Sequence, residues 1–157
     1  MSEKRIGFFI REKPYGFLSN FDRTPFEVDG IIYATNEHYY QSEKVSDSFI
    51  GNYIALAPHA RIAMVLGREF QRNKYLKKYM KPNWDMIKQE VMMKGLRAKF
   101  SNPELREKLL ATGDAILFED NPEDPYWGIG DGTGASWLGR CLMQVRDELK
   151  RQREGKS

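Results

Sequence analysis

Ile32-Tyr-Ala-Thr-Asn-Glu-His-Tyr-Tyr-Gln-Ser-Glu-Lys44 is the stretch in which the chain turns from strand to helix. Ile32 and Tyr33 suit a strand, and either Thr35 or Asn36 supplies the side-chain oxygen of an N-cap, which puts Glu37 in the first helical turn. Glu37, Tyr40 or Gln41, and Lys44 then recur at helical spacing and share one face, polar with a single aromatic. A carboxylate there complements the helix dipole, and a lysine at the far end is commonly solvated. The same face is also a polar surface suited to a ligand, so the rest of the chain has to decide between the two readings.

Upstream, Phe26-Glu-Val28 and Ile31-Ile-Tyr33 alternate about Asp29-Gly30, a dipeptide suited to the positive backbone angles of a tight hairpin. Arg5 to Ile10 reads as a first strand, and the aromatic-rich Pro14-Tyr-Gly-Phe-Leu-Ser-Asn-Phe21 as a loop. Downstream, a short helix is expected from Phe49 to Ala57. Pro58 opens another through Ile62, Ala63 and Leu66, with Gly67 as its stop and Arg61 and Arg68 at its flanks. From Trp84 to Phe100 the residues Trp84, Ile87, Val91, Gly95 and Ala98 form the stripe of a core helix. Asn102 caps and Pro103 starts the next helix, which buries Leu105, Leu109 and Leu110 and ends by Gly113. Ala115 to Glu119 resembles a strand. A last helix begins near Ser136 and carries Trp137, Leu138, Cys141, Leu142, Val145 and Leu149 as a buried stripe. The expected class is α+β, a mainly helical single domain over residues 1–150 with six to seven helices and three or four short strands. A basic tail, residues 151–157, follows.

The composition is that of a folded chain: 157 residues, 41% hydrophobic and 30% charged. A net charge of +3 from 25 basic and 22 acidic residues spread along the chain makes no strong case for nucleic acid or membrane. Gly7-Phe-Phe-Ile10 is too short for a signal peptide or a membrane span. A single cysteine, Cys141, excludes an internal disulfide, and the expected compartment is a reducing cytoplasm. His38 and His59 make no zinc spacing with Cys141. Asp120, Glu123, Asp124 and Asp131 lack the alternation of a calcium-binding loop. No metal and no cofactor are expected.

Asp120-Asn-Pro-Glu-Asp-Pro-Tyr-Trp-Gly-Ile-Gly-Asp-Gly-Thr-Gly134 is a long polar loop, of the kind that usually carries function. Its glycines do not fit the dinucleotide fingerprint, and neither a lysine-bearing phosphate loop nor a serine nucleophile elbow is present. What remains is Glu37 with Lys44, the tryptophans Trp84 and Trp127, and the acids Glu119, Asp124 and Asp131. Carboxylates with aromatic walls suit a sugar or nucleoside site. Arg61, Arg68 and Lys74 are basic residues near glycine or helix ends, as phosphate ligands often are. Each has a plainer reading. Trp84 begins an apolar stripe, Asp124 and Asp131 suit turns, Asn20 suits a loop backbone, and His38 suits packing beneath the helix.

Six blocks in order carry a resemblance: Phe17-Leu-Ser-Asn-Phe21, Asn36-Glu-His-Tyr-Tyr-Gln-Ser-Glu-Lys44, Asn83-Trp84, Leu96-Arg-Ala-Lys-Phe100, Tyr126-Trp-Gly128 and Leu138-Gly-Arg-Cys-Leu-Met143. Together, from about Phe8 to Leu149, the chain resembles the NADAR (YbiA-like) family. The resemblance implies a small α+β N-glycosidase that cleaves the bond between ribose and an amine or base. Such substrates are phosphoribosylamino-pyrimidine intermediates of riboflavin synthesis, or ADP-ribose attached to guanine, including guanine in nucleic acid. By position it implies Glu37 as the catalytic glutamate, Trp84 and Trp127 as pocket tryptophans, and Lys44 and Asn20 as further motif residues. Arg68 and Asp124 complete the expected substrate-binding set. The chain departs from the family pattern at Ala34 and Asn36, which replace proline and serine before the Glu-His pair. It departs again at Ser136, where many members carry asparagine, and in the length of the glycine loop. The alternative to an enzyme is a module that binds ADP-ribose or a nucleotide without cleaving it. Glu37 discriminates between the two, since stacking and phosphate contacts suffice for binding, whereas hydrolysis needs a group to manage developing charge and water.

Overall fold

Strands and helices follow in the order β1 (Arg5–Phe8), β2 (Phe26–Val28), β3 (Ile31–Tyr33), α1 (Asn36–Ser42), α2 (Ser48–Ala55), α3 (Ala60–Arg72), α4 (Trp84–Lys99), α5 (Pro103–Leu110), β4 (Ile116–Glu119) and α6 (Trp137–Arg153). Short 3-10 turns lie at Gly16–Leu18 and Lys77–Tyr79. The structure is a computed structural model and describes residues 3–155, so Lys156 and Ser157 of the basic tail lie outside the described residues. The class is α+β and mainly helical, as the periodicities predict. The chain gathers into two compact units, one of Arg23–Lys99 and the other of the segments before and after it.

The Arg23–Lys99 unit starts with the expected hairpin. β2 and β3 pair antiparallel with Phe26 opposite Tyr33 and Val28 opposite Ile31, leaving Asp29 and Gly30 as a two-residue loop. Their φ angles of 50° and 82° are both left-handed, which is the type I′ turn that matches strand twist. Of the two candidate caps, Thr35 is the one used. Its hydroxyl accepts from the His38 backbone N–H at 3.2 Å, and Asn36 is already helical. Every residue of α1 is buried, against β3, α2, α3 and α4. Phe26, Val28, Tyr33 and Tyr39 form one core cluster, with Tyr33 and Tyr39 edge to face at 5.3 Å. Val45, Ile54 and Ala63 form a second, beneath α2 and α3.

Gly67 does not stop a helix. α3 begins at Ala60, two residues after Pro58, runs through Gly67 and ends at Arg72. A Cβ on Gly67 would come within 2.8 Å of Gln41 Cδ and 2.9 Å of Gln41 Cβ. The glycine therefore serves the approach of α1 to α3, a tertiary requirement that looks identical to a helix stop in the local sequence.

In the other unit β1 and β4 pair in parallel, Arg5 opposite Ile116 through Phe8 opposite Glu119. β1 is shorter than expected because Ile10, at φ 49°, is in the left-handed region and cannot extend a strand. Asn102 caps α5 by accepting from Glu104 N and Leu105 N at 2.9 and 3.2 Å, with Pro103 at the first helical position. α6 lies on β4 and buries Leu138, Cys141, Leu142 and Val145 of the expected stripe, while Trp137 and Leu149 at its two ends are only half-buried. Ser136, the residue before α6, sits at φ 47°, where asparagine is better tolerated than serine. Its hydroxyl instead accepts from Glu119 N at 3.1 Å. Among the described residues no helix is long and apolar enough to cross a membrane.

Candidate active site

Capping by Thr35 makes Glu37 the second residue of α1, where its side chain is 8% exposed. One turn later Gln41 Nε2 donates to Glu37 Oε1 at 2.7 Å. Lys44, just past the helix, is 3% exposed, and its Nζ donates to Gln71 Oε1 at 2.5 Å in the last turn of α3. Of the two residues expected between the charges, Gln41 bonds the carboxylate and Tyr40 meets the lysine. The Lys44 ammonium lies 5.5 Å over the Tyr40 ring, which packs on Trp84 at 5.2 Å.

Burial pushes the Lys44 ammonium down to about 8; the Glu37 charge pulls the other way, and Arg68, Arg72 and Lys88 add to the depression. Lys44 thus feels one carboxylate, from α1, and three other cations, two from α3 and one from α4. Arg68 was expected there. Arg72, Lys88 and Gln71 were not, although Arg72 follows Arg68 at the spacing that puts both on one helix face and Lys88 follows Trp84 by the same interval. Lys88 also donates to Asp85 at 3.2 Å. Arg61 is exposed, and Lys74 lies 5.0 Å over the Tyr75 ring, so neither is drawn into this group.

Trp84 is 3% exposed, closer to the core reading than to an open stacking wall, and its indole Nε1–H is buried without a hydrogen-bond partner. His38 packs beneath the helix. Its Nδ1 lies 2.8 Å from Thr35 Oγ1 and its Nε2 2.9 Å from Ala57 O. Facing a carbonyl, Nε2 carries the proton, so Nδ1 accepts from the threonine hydroxyl. Burial lowers the His38 pKa, which keeps this neutral form.

Asn20, Asp124 and Trp127 belong to the other unit. Asn20 is 7% exposed, just after the first 3-10 turn. Asp124 is a turn former: its Oδ1 accepts from Tyr126 N and Trp127 N at 3.0 and 2.9 Å. That turn fixes the backbone of Trp127, a half-buried indole lying edge to face with Tyr126 at 4.9 Å. Asp131 does the same for Thr133. Among the described residues no three His, Cys, Asp or Glu side chains gather as a metal-binding group.

The model of the NADAR domain matches residues 8–150 of the chain. The chain is 40% identical over 151 residues to N-glycosidase YbiA of Escherichia coli K12, covering 95% of this chain and 91% of that protein. It is 35% identical over 150 residues to N-glycosidase Npun_R5314 of Nostoc punctiforme, covering 92% of each. To the riboflavin biosynthesis protein VVA0006 of Vibrio vulnificus it is 39% identical over 150 residues, covering 94% of this chain and 39% of that protein. The NMR structure of E. coli YbiA matches with a TM-score of 0.87 at 37% identity, covering 100% of this chain and 91% of that one. The match runs through both the glutamate-bearing α1 and the tryptophan loop before α6, and the chain belongs to the NADAR family.

Proposed function

We propose that this protein is an N-glycosidase that hydrolyses the C–N bond between ribose and an amine or base in a phosphorylated ribosyl compound. The observation that carries this reading is a buried carboxylate, Glu37, hydrogen-bonded by Gln41 and electrostatically coupled to the buried Lys44, which in turn feels Arg68, Arg72 and Lys88. The relatives named N-glycosidase support the reaction type.

In the reaction the C–N electron pair leaves with the amine, which takes up a proton, and water adds to the anomeric carbon. Positive charge builds on the sugar as the bond breaks. Glu37 stabilises that charge and accepts the proton of the attacking water. The cations bind the phosphate: the guanidinium groups of Arg68 and Arg72 match its oxygens bidentately, and Lys44 acts as a point charge. Trp84 contributes its unpartnered indole N–H as a donor. For Asn20, Asp124 and Trp127 a substrate-binding role rests on the family resemblance. A cation group of this kind accepts either the phosphate of a phosphoribosylamino-pyrimidine or the diphosphate of ADP-ribosylated guanine, free or in nucleic acid.

The test is release of free amine or base from both substrates by the parent protein and by Glu37→Gln. We expect Glu37→Gln to bind substrate normally and to turn over about two to four orders of magnitude more slowly, the range for a positioned acid–base group. Turnover within about threefold of the parent would remove Glu37 from the mechanism. Binding of both compounds by the parent without release of either would favour the non-catalytic module.

A further inference from the structure

We infer that Gln41 and Gly67 form a positioning pair that holds the Glu37 carboxylate in its working orientation, Gly67 being kept free of a side chain so that the Gln41 amide reaches Glu37. The inference rests on the assignment of Glu37 as the reacting carboxylate.

Gln41 is 3% exposed, and its amide is only half satisfied. Nε2 donates to Glu37 Oε1 at 2.7 Å, while Oε1 is buried with no hydrogen-bond partner. A site needed only for packing would be filled at less cost by leucine or methionine, because a buried amide oxygen without a donor is destabilising. What the amide provides and an apolar side chain does not is an N–H aimed at the carboxylate. The amide has one usable orientation here, since turning it over would set its oxygen against the oxygens of Glu37.

Gly67 is the counterpart. It lies in the interior of α3, where glycine is less stable than alanine by about 1 kcal/mol. A Cβ at this position would meet Cδ and Cβ of Gln41 at 2.8 and 2.9 Å, and its Oε1 more closely still. The orphan oxygen therefore rests against the Gly67 backbone, where a Cα–H···O contact is the remaining interaction. Alanine would push the amide away and draw its N–H off Glu37. One residue on α3 thus governs a carboxylate on α1 that it does not touch.

The carboxylate is coupled to the charge of Lys44, just past α1, which itself feels Arg68 and Arg72 on α3 and Lys88 on α4. Tyr33 of β3, His38, Tyr39 and Tyr40 of α1, and Glu43 at its C-cap are titratable groups on the remaining sides of α1. Gln41→Leu and Gly67→Ala leave all of these charges in place and add none, so a change in their pH response reports the amide, whereas Gln41→Glu adds a second carboxylate beside Glu37.

The experiment measures kcat and KM against pH on a 5′-phosphoribosylamino-pyrimidine for the parent, Gln41→Leu, Gln41→Glu, Gly67→Ala, the Gln41→Leu/Gly67→Ala double variant and Glu37→Gln. We expect Gln41→Leu and Gly67→Ala each to lower kcat about ten- to a hundredfold, the worth of a hydrogen bond to a charged group, with KM nearly unchanged. The acid limb of kcat should move to higher pH in both, because the carboxylate loses a donor that favours its charged form. The double variant should be little worse than either single one, since both remove the same bond. Gln41→Glu keeps the shape of the side chain, and its two carboxylates share a proton, so activity should be lost near neutrality and return as the pH is raised. That last variant decides the matter if leucine impairs folding. An acid limb unmoved in Gln41→Glu and Gly67→Ala, with Glu37→Gln inactive, overturns the positioning pair alone. An active Glu37→Gln overturns both it and the assignment of Glu37.

Discussion

Lys44 is a buried cation whose Nζ donates to a neutral amide, and its titration should be visible in two ways. Its pKa falls from 10.5 to about 8 on folding. Below about pH 8 the lysine is charged in both the folded and the unfolded chain, and the penalty for burying that charge is fully present. Between about 8 and 10.5 the unfolded chain binds more protons than the folded one, so stability rises with pH in that window. The shift corresponds to about 3 kcal/mol, and the side chain is buried enough that solvent screening takes little from it. Lys44→Met should therefore be more stable than the parent at pH 7 by up to that amount, less the lost Gln71 bond, and should lack the rise. Chemical denaturation at pH 7 and pH 10 measures both, and parallel behaviour of the two proteins would mean that Lys44 titrates as an ordinary lysine. On the substrate side, the alkaline limb of kcat/KM for a phosphorylated compound should begin near pH 8 and vanish in Lys44→Met.

Among the elements, α1 bears most of the argument, and it depends on one cap. Thr35 Oγ1 accepts from the His38 backbone N–H and donates to the His38 ring, so Thr35→Ala removes both at once. We expect a loss of about 1–2 kcal/mol, the upper part of the range for an N-cap, seen as a lower denaturant midpoint at unchanged slope. Thr35→Ser should recover most of it, and an alanine variant as stable as the parent would show that the packing of α1 makes its cap redundant. The start of α1 was legible because capping, turn chemistry and strand alternation are local rules: Asp29-Gly30 dictated a type I′ hairpin, and Thr35 or Asn36 had to open the helix. The extent of α3 was not legible. A glycine that ends a helix and a glycine that admits a neighbouring amide are the same letter, and only the position of Gln41 tells them apart. Trp84 shows the opposite limit: its apolar stripe and its family position point to core and to pocket, and its burial beside Tyr40 is compatible with both once its indole N–H, rather than its face, is the group on offer.

For the molecule as a whole, 25 basic and 22 acidic residues leave a net charge of +3, too small to steer an anion from a distance. On the proposed function, the attraction felt by a phosphorylated substrate is local, and the cations coupled to one another at Lys44, Arg68, Arg72 and Lys88 are the ones proposed to set it. These residues are spread over more than forty positions of sequence, and no run of charge announces them, which is why only Lys44 and Arg68 stood out before the fold brought the others in. A local cluster has a specific salt signature, because at about 0.1 M salt screening sets in over roughly 10 Å. Between ~50 and ~500 mM salt, kcat/KM for a 5′-phosphoribosylamino-pyrimidine should fall severalfold, while that for the dephosphorylated riboside should stay flat. Arg68→Gln and Arg72→Gln should each raise KM for the phosphorylated compound by about tenfold or more, the worth of a charge-assisted bond, and leave the riboside within about twofold. They should also flatten the salt dependence. If salt and the arginine substitutions affect both compounds equally, these cations shape the site without reading the phosphate, and the phosphorylated substrate class has to be given up even if Glu37 keeps its role.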